Sequence, residues 1–421
     1  MGVDIQVSSF GTIAGLIIAI VFILKRVAPP VAMMIGALVG GLMGGLAFSD
    51  SVNIMIDGAK GMTGIVLRVL TAGVLAGVLI ESGAAKTIAE SILHKLGVKK
   101  ALLAIAGATM ILTAVGVFIG VAVLTVAPIA LSIAKQAKLS KLAVLLAISG
   151  GGKAGNIMSP NPNTIAVSEA FSVPLTSVMV AGIIPALLGL AITYLMAQNL
   201  KQTGSQVEEV DMEEGNEEKL PSLFGALSGP AVAIFLLLLQ PGFGISIDPL
   251  IALPVGGIAG AIVMKKTRDL NFYITSGIDK MSGIAILLLG TGTLAGLISH
   301  SALTTVITNS IESLGLPTYL IAPIAGITMS AATGSTSAAA AVAGGAFAPT
   351  IIEIGVSALA GAAMVHAGAT VLDHMPHGTY FHITRSSVKM NMHERFKLLP
   401  YETVIGIVMV IASTIMFGIL H

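Results

Sequence analysis

Residues 313–352 form a run of 40 positions without one Asp, Glu, Lys or Arg. Residues 101–134 repeat this over 34 positions and residues 170–200 over 31. A bilayer span needs about 20 apolar residues, so each run is long enough to cross at least once. Inside hydrocarbon the backbone must satisfy its own hydrogen bonds, which leaves helices or a closed barrel. Period-2 alternation is absent and Leu, Ala and Ile dominate, so the runs read as helices. Charged residues make up 10% of the chain, against about 25% for a soluble domain. The 421 residues contain no Cys, which removes iron–sulfur, thiolate-zinc and cysteine-nucleophile chemistry. A net charge of +1 offers no basic field for nucleic acid. The composition defines a polytopic membrane protein.

The apolar run at 10–24 precedes its basic pair, Lys25 and Arg26. A secretory signal has the opposite order, so this reads as a permanent first span. Polar breaks place further spans near 31–48, 62–81, 142–168 and 174–198, with an amphipathic interfacial helix at 84–97. Residues 100–135 are either two spans or one re-entrant hairpin around Gly116 and Gly120. Residues 199–220 crowd Glu208, Glu209, Asp211, Glu213, Glu214, Glu217 and Glu218, the pattern of a solvated linker.

Beyond the linker the pattern restarts. At an offset of 219, residues 62–92 and 281–311 share 12 identities in 31 positions, including Gly73-x-Leu75-Ala76-Gly77 against Gly292-x-Leu294-Ala295-Gly296. Ala127-Pro128 meets Ala348-Pro349 at an offset of 221. The chain therefore reads as an internal duplication. Residues 1–198 make a first repeat of five spans plus the hairpin 100–135. Residues 199–220 are an acidic cytoplasmic linker. Residues 221–421 make a second repeat, with spans near 222–240, 248–264, 281–299, 355–381 and 401–419 and a hairpin at 317–353. Five spans per repeat is odd, so the halves lie in opposite orientations. With Lys25 and Arg26 in the cytoplasm, Lys95, Lys135, Lys201, Lys265, Arg385, Arg395 and most other cations fall on the same side. The expectation is an all-α protein of about ten transmembrane helices plus two re-entrant hairpins, multi-pass in a bacterial inner (plasma) membrane, with both termini outside.

Inverted repeats build their sites near the midplane from interrupted helices. The strongest interruption is Gly150-Gly151-Gly152-Lys153-Ala154-Gly155-Asn156-Ile157-Met158-Ser159-Pro160-Asn161-Pro162-Asn163-Thr164. Prolines inside a helix remove a donor and free a carbonyl, and a restarted helix presents unpaired N–H groups. Asn156, Ser159, Asn161, Asn163 and Thr164 add short neutral donors suited to a carboxylate. The alternative is an external loop between two short helices. A second interruption, Thr333-Gly334-Ser335-Thr336, suits the tip of a re-entrant hairpin, or else close helix packing by small residues. A third, from His366 through Asp373-His374-Met375-Pro376-His377, lies where the repeat places the partner of the first, Asn156-x-Met158 against Asp373-x-Met375. Ionisable groups within spans are candidates for function, and His366, Asp373, His374 and His377 form a proton-coupling set. The alternatives are a cytoplasmic surface segment and a His/Asp metal site, the latter without Cys or Glu in support. Lys153 either meets a substrate carboxylate, stands in for a coupling cation, or snorkels to the cytoplasm. Glu81 and His300 occupy equivalent span ends and read as caps.

The Gly-Gly-Gly-Lys-Ala-Gly-Asn-x-x-Ser-Pro-Asn-Pro-Asn-Thr block from Gly150 and the Asp-His-Met-Pro-His-Gly segment from Asp373 resemble the gluconate:proton symporter (gluconate permease) family. That family lies in the ion-transporter superfamily, which also holds sodium- or proton-coupled dicarboxylate and citrate carriers. The resemblance implies a re-entrant hairpin and a broken helix in each half, a homodimer and an elevator-like movement. The hairpin tip at Gly116–Gly120 lacks a Ser-Asn-Thr cluster, a departure that favours protons over a symmetric pair of sodium ions. The expected function is secondary active, proton-coupled symport of a gluconate-type sugar acid or hydroxycarboxylate, with no cofactor, metal or nucleic acid. A sodium-coupled di- or tricarboxylate symporter and a cation:proton antiporter are the alternatives. A membrane enzyme would need a nucleophile motif such as G-x-S-x-G, and none accompanies the His cluster.

Overall fold

The computed structural model describes residues 6–208, 220–301, 306, 313 and 317–420. Residues 209–219 of the acidic linker lie outside them, as does most of 302–316, the repeat partner of the helix expected at 84–97. Among the described residues the chain is helical, with isolated bridges but no strand.

The first half contains α1 (Ser9–Leu24), α2 (Pro29–Met43), α3 (Phe48–Gly61), α4 (Thr63–Glu81), α5 (Ala84–Leu96), α6 (Ala101–Ala114) and α7 (Ile119–Gln136). It continues through α8 (Lys141–Asn156), α9 (Pro162–Ala170), α10 (Leu175–Ala181) and α11 (Ile183–Leu200). The second half contains α12 (Leu223–Phe243), α13 (Pro249–Val263), α14 (Leu270–Ser299), α15 (Ile321–Thr333), α16 (Thr336–Glu353) and α17 (Ala358–Ala369). It ends with α18 (Thr379–Ser387), α19 (Met392–Lys397) and α20 (Leu399–Thr414). Short polar side chains start many of them: Ser8, Ser140, Asn161, Asp248 and Ser335 each accept a backbone N–H of the first turn.

Among the described residues, six helices are long and apolar enough to cross a membrane, or seven if the pair α5 and 98–114, bent by 99°, counts as one span. Several expected spans are shorter than this. The helices α1, α2 and α13 are apolar but only 15 or 16 residues long. The stretches expected at 142–168 and 355–381 are each divided, into α8 with α9 and α17 with α18. Conversely, α14 is continuous over 30 residues, so the span expected at 281–299 is the end of a longer rod.

Small residues set the helix spacing. A Cβ on Gly277 would fall 1.9 Å from the Gly73 carbonyl oxygen, and one on Gly58 2.1 Å from that of Gly292. The α14 backbone thus lies directly on α4 and α3. The run Gly150-Gly151-Gly152 does not interrupt α8 as the sequence suggested. A Cβ on Gly151 would sit 2.1 Å from the Ala106 carbonyl oxygen and one on Gly155 2.0 Å from that of Met110. These glycines let α8 press on α6, and the real break is confined to 157–161.

Two large apolar cores result among the described residues, with a small third around Val78, Ala261 and Tyr273. Of the large ones, one joins α4–α8 and α11 to residues from Val388 to Val410; the other joins α1, α2, the end of α14 and α15–α17. The segments after the breaks cross between them: α9 packs on α16, and α18 packs on α7. The interrupted helices therefore meet where the two halves interlock.

Candidate functional site

Each hairpin turns at a glycine in the left-handed region. Gly116, between α6 and α7, has φ +101°, and Gly334, between α15 and α16, has φ +59°. A side chain strains at such a φ. At the second tip, Ser335 caps α16 through the Ala338 N–H, and the Thr333 hydroxyl donates to the Met329 carbonyl. Thr336 donates its hydroxyl hydrogen to Asp373 Oδ2 at 2.5 Å. The tip is thereby tied to the non-helical segment 370–378.

Asp373 is buried, and Lys153 at the end of α8 reaches it from the first half, Nζ to Oδ1 at 2.6 Å. The Lys153 side chain has no exposure at all, so it neither snorkels nor lies open to a ligand. It also donates to the Thr370 carbonyl at 2.8 Å. That carbonyl belongs to the C-cap of α17, where the helix dipole favours a cation. Its third partner is His374 Nδ1 at 2.9 Å. An ammonium has only hydrogens to give, so Nδ1 accepts and Nε2 carries the ring hydrogen. Nε2 faces the Leu399 carbonyl and Thr403 Oγ1, each at 3.0 Å. Asp373 and His374, two of the expected proton-coupling residues, thus share one cluster with Lys153. His377 stands apart and contacts the Ala332 carbonyl at 3.1 Å. His366 is buried within α17, with neither ring nitrogen hydrogen-bonded.

The first break is satisfied largely by itself. Asn161 Oδ1 accepts the backbone N–H groups of Asn163 and Thr164 at 2.8 and 3.1 Å, capping α9. Its Nδ2 donates to the Asn156 carbonyl, Asn156 Oδ1 and Ser159 Oγ at 2.6–2.7 Å. The expected ligand donors Asn156, Ser159, Asn161, Asn163 and Thr164 are buried, and Asn156 Nδ2 and Asn163 Oδ1 remain without partners.

A cavity of about 450 Å³ opens on the second break. Its lining includes Thr333, Gly334, Ser335, Thr336, Asp373, His377 and Tyr380, with Phe118 and Gly120 from the first hairpin and Arg26 from the loop after α1. Neither Lys153 nor residues 156–164 line it. The sequence marked the first break as the strongest interruption; the open space lies at the second.

Four functional candidates escaped the sequence reading. Arg395 and Glu402, both with fully buried side chains, form an ion pair at 2.6 Å. Ser149 donates to Glu402 Oε1 at 2.5 Å, and Tyr380 donates to Ser149 Oγ at 3.2 Å. One signal was available: Glu402 is the sole charge between Lys397 and the end of the chain, inside an apolar run. No group of three His, Cys, Asp or Glu side chains that could hold a metal occurs among the described residues.

The apolar helices, together with the family match and the relatives, make this a polytopic membrane transporter. Residues 8–249 match the GntP family permease, and the chain belongs to that family. Residues 225–314 also match the Na+-H+ antiporter family. An uncharacterized transporter of Haemophilus influenzae is 57% identical over 413 residues, covering 98% of this chain and 99% of the relative. The inner membrane permease YgbN of Escherichia coli is 24% identical over 378 residues, covering 81% and 83%. The crystal structure of the Alcanivorax borkumensis YdaH transporter shares the fold, with a TM-score of 0.60, 16% identity, and 86% and 87% of the two chains covered.

Proposed function

We propose that this chain is a secondary active transporter that carries a small hydroxylated organic acid together with a proton, by alternating access. One observation carries the reading: the Lys153–Asp373 pair is almost wholly buried, yet Asp373 itself lines the cavity. With Asp373 charged, the pair is neutral. A proton on Asp373 leaves one net positive charge beside the cavity, which favours an anion there. By linkage, an anion in the cavity raises proton affinity by the same factor. That reciprocity is the thermodynamic content of symport. The hydroxyls of Thr333, Ser335 and Thr379 and the ring of His377 supply hydrogen-bonding partners for a polyhydroxylated acid of gluconate type.

The two-repeat architecture is part of this reading: 1–198 and 221–421, five spans and a hairpin each, in opposite orientation. It is supported by α7 and α16, both of 18 residues, and α9 and α18, both of nine, at a constant offset of 217. The relative YgbN bears an inner-membrane name, which supports that location here.

The match of residues 225–314 to the Na+-H+ antiporter family favours a second reading, cation:proton antiport. One assay separates the two. Purified protein in liposomes is given an inward proton gradient, with and without sodium, and gluconate uptake is followed beside internal pH. Proton-driven accumulation of gluconate or a competing hydroxy acid, independent of sodium, is the expected result. Sodium-dependent pH change without anion uptake hands the protein to the antiporter reading.

A further inference from the structure

The cavity connects to a second buried carboxylate. Tyr380 lines the cavity on one side and donates its phenolic hydrogen to Ser149 Oγ at 3.2 Å on the other. Ser149 in turn donates to Glu402 Oε1 at 2.5 Å. Both O–H bonds point the same way, from the cavity toward Glu402. Arg395 closes the far end with two contacts, Nη1 to Oε2 at 2.6 Å and Nη2 to Oε1 at 3.2 Å. An ion pair serving the fold alone needs only Arg395; it has no use for a row of hydroxyls ending at open space.

We infer that Tyr380 and Ser149 form a proton relay and that Glu402 is a second proton-carrying carboxylate of the transport cycle. The inference rests on the symport reading above and deepens it. The transfer balances without any co-reactant. A proton from cavity water binds Tyr380 Oη as the tyrosine hydrogen passes to Ser149 Oγ and the serine hydrogen passes to Glu402. The carboxylate gains one proton, and the two hydroxyls are left reversed, ready to carry it back. No redox step or covalent intermediate occurs.

The surroundings explain how a proton on Glu402 acts on transport. The charged and titratable groups around the carboxylate are Arg395 from α19, Lys153 from α8, His374 and Asp373 from the second break and Tyr380 from α18. Lys153 Nζ lies 3.5 Å from the Glu402 carbonyl oxygen, so the two ion pairs adjoin. Two cations and two carboxylates cancel. Each proton loaded adds one positive charge to the same buried cluster, and both additions favour an anion in the cavity. Arg395 stacks on the Phe381 ring at 4.6 Å, and Phe381 neighbours the relay tyrosine. Loading Glu402 loosens its hold on Arg395 and thereby bears on α18, the helix that packs on the first hairpin.

The test uses full-length protein in proteoliposomes and measures the proton-to-substrate ratio from the membrane potential at which flux reverses. Gluconate, or the hydroxy acid that the uptake assay selects, is the probe. Glu402→Gln is expected to lower the ratio by one proton. Ser149→Ala breaks the relay and leaves both Arg395 contacts to Glu402 in place. It is expected to reduce gradient-driven accumulation at least tenfold more than substrate exchange, and to flatten the pH profile of uptake. An unchanged ratio in Glu402→Gln together with a wild-type pH profile in Ser149→Ala overturns the inference. If Glu402→Gln does not fold, the Ser149→Ala profile decides alone. A wild type that moves the acid without protons refutes the symport reading itself, a result distinct from either variant outcome.

Discussion

Lys153 and Asp373 stand 220 positions apart in the chain, yet their charged atoms are 2.6 Å apart and the pair is almost wholly buried. Removing one partner strands the other. Because breaking a buried pair costs about 3–5 kcal/mol, Lys153→Met and Asp373→Asn are each expected to lower thermal stability in detergent strongly. The double variant Lys153→Met/Asp373→Asn leaves no unpaired charge and is expected to recover most of that stability. It is not expected to recover full gradient-driven uptake, because the proton site at Asp373 is gone. Recovery of both would reduce the pair to a structural role.

Thr336 supplies the one side-chain bond among the described residues between the second hairpin tip and the Asp373 carboxylate. Thr336→Val keeps the volume and removes the donor. A hydrogen bond to a charged group contributes roughly 1.5–3 kcal/mol, so affinity or accumulation is expected to fall about tenfold or more. Thr336→Ser keeps the hydroxyl and is expected to stay near wild type. Binding assays on both variants check this. Equal behaviour of Val and Ser would detach the tip from the site.

The sequence made the helices legible because their cause is local: uncharged runs longer than a bilayer is thick. It also located both breaks, since Pro160 and Pro162 and the stretch up to Pro376 deny a helix its donors. What it could not show was pairing. Lys153 sits among glycines that read as a loop, and only tertiary contact with α6 reveals them as packing glycines in a helix. Glu402 stands as the one charge of an apolar run, but nothing local pairs it with Arg395. Asn161 is the subtler case. An Asn before Pro-Asn-Thr offers the same donors to a ligand as to its own backbone, and the structure has it serving the backbone.

That assignment gives Asn161 a testable signature. Asn161→Ala removes the α9 cap, a loss of about 1 kcal/mol, together with three Nδ2 contacts. Asn161→Asp keeps the capping oxygen but turns a second oxygen toward the Asn156 carbonyl and Asn156 Oδ1, where Nδ2 had donated. Three acceptors would then face one another without a hydrogen between them. Asn161→Asp is therefore expected to melt lower than Asn161→Ala. If the residue instead served a ligand carboxylate, the Ala variant would keep wild-type stability and lose only affinity. Thermal unfolding with and without substrate distinguishes the two.

The glycines divide into those that set helix spacing and those that do not, and two alanine substitutions separate the classes. At Gly277 a methyl group would lie 1.9 Å from the Gly73 carbonyl oxygen, a backbone atom that cannot swing aside. Gly277→Ala must push α14 off α4. Overpacking of this kind costs about 1–3 kcal/mol, and here the obstacle is backbone, so low folded yield is expected. At Gly107, on α6, an added methyl meets nothing within 4 Å. Gly107→Ala should raise stability by about 0.5–1 kcal/mol through lost freedom in the unfolded chain. Size-exclusion profiles and melting curves of the two variants read the contrast. The rank order is fixed by the geometry: if Gly277→Ala folds as well as Gly107→Ala, the α4–α14 contact is looser than the distances require.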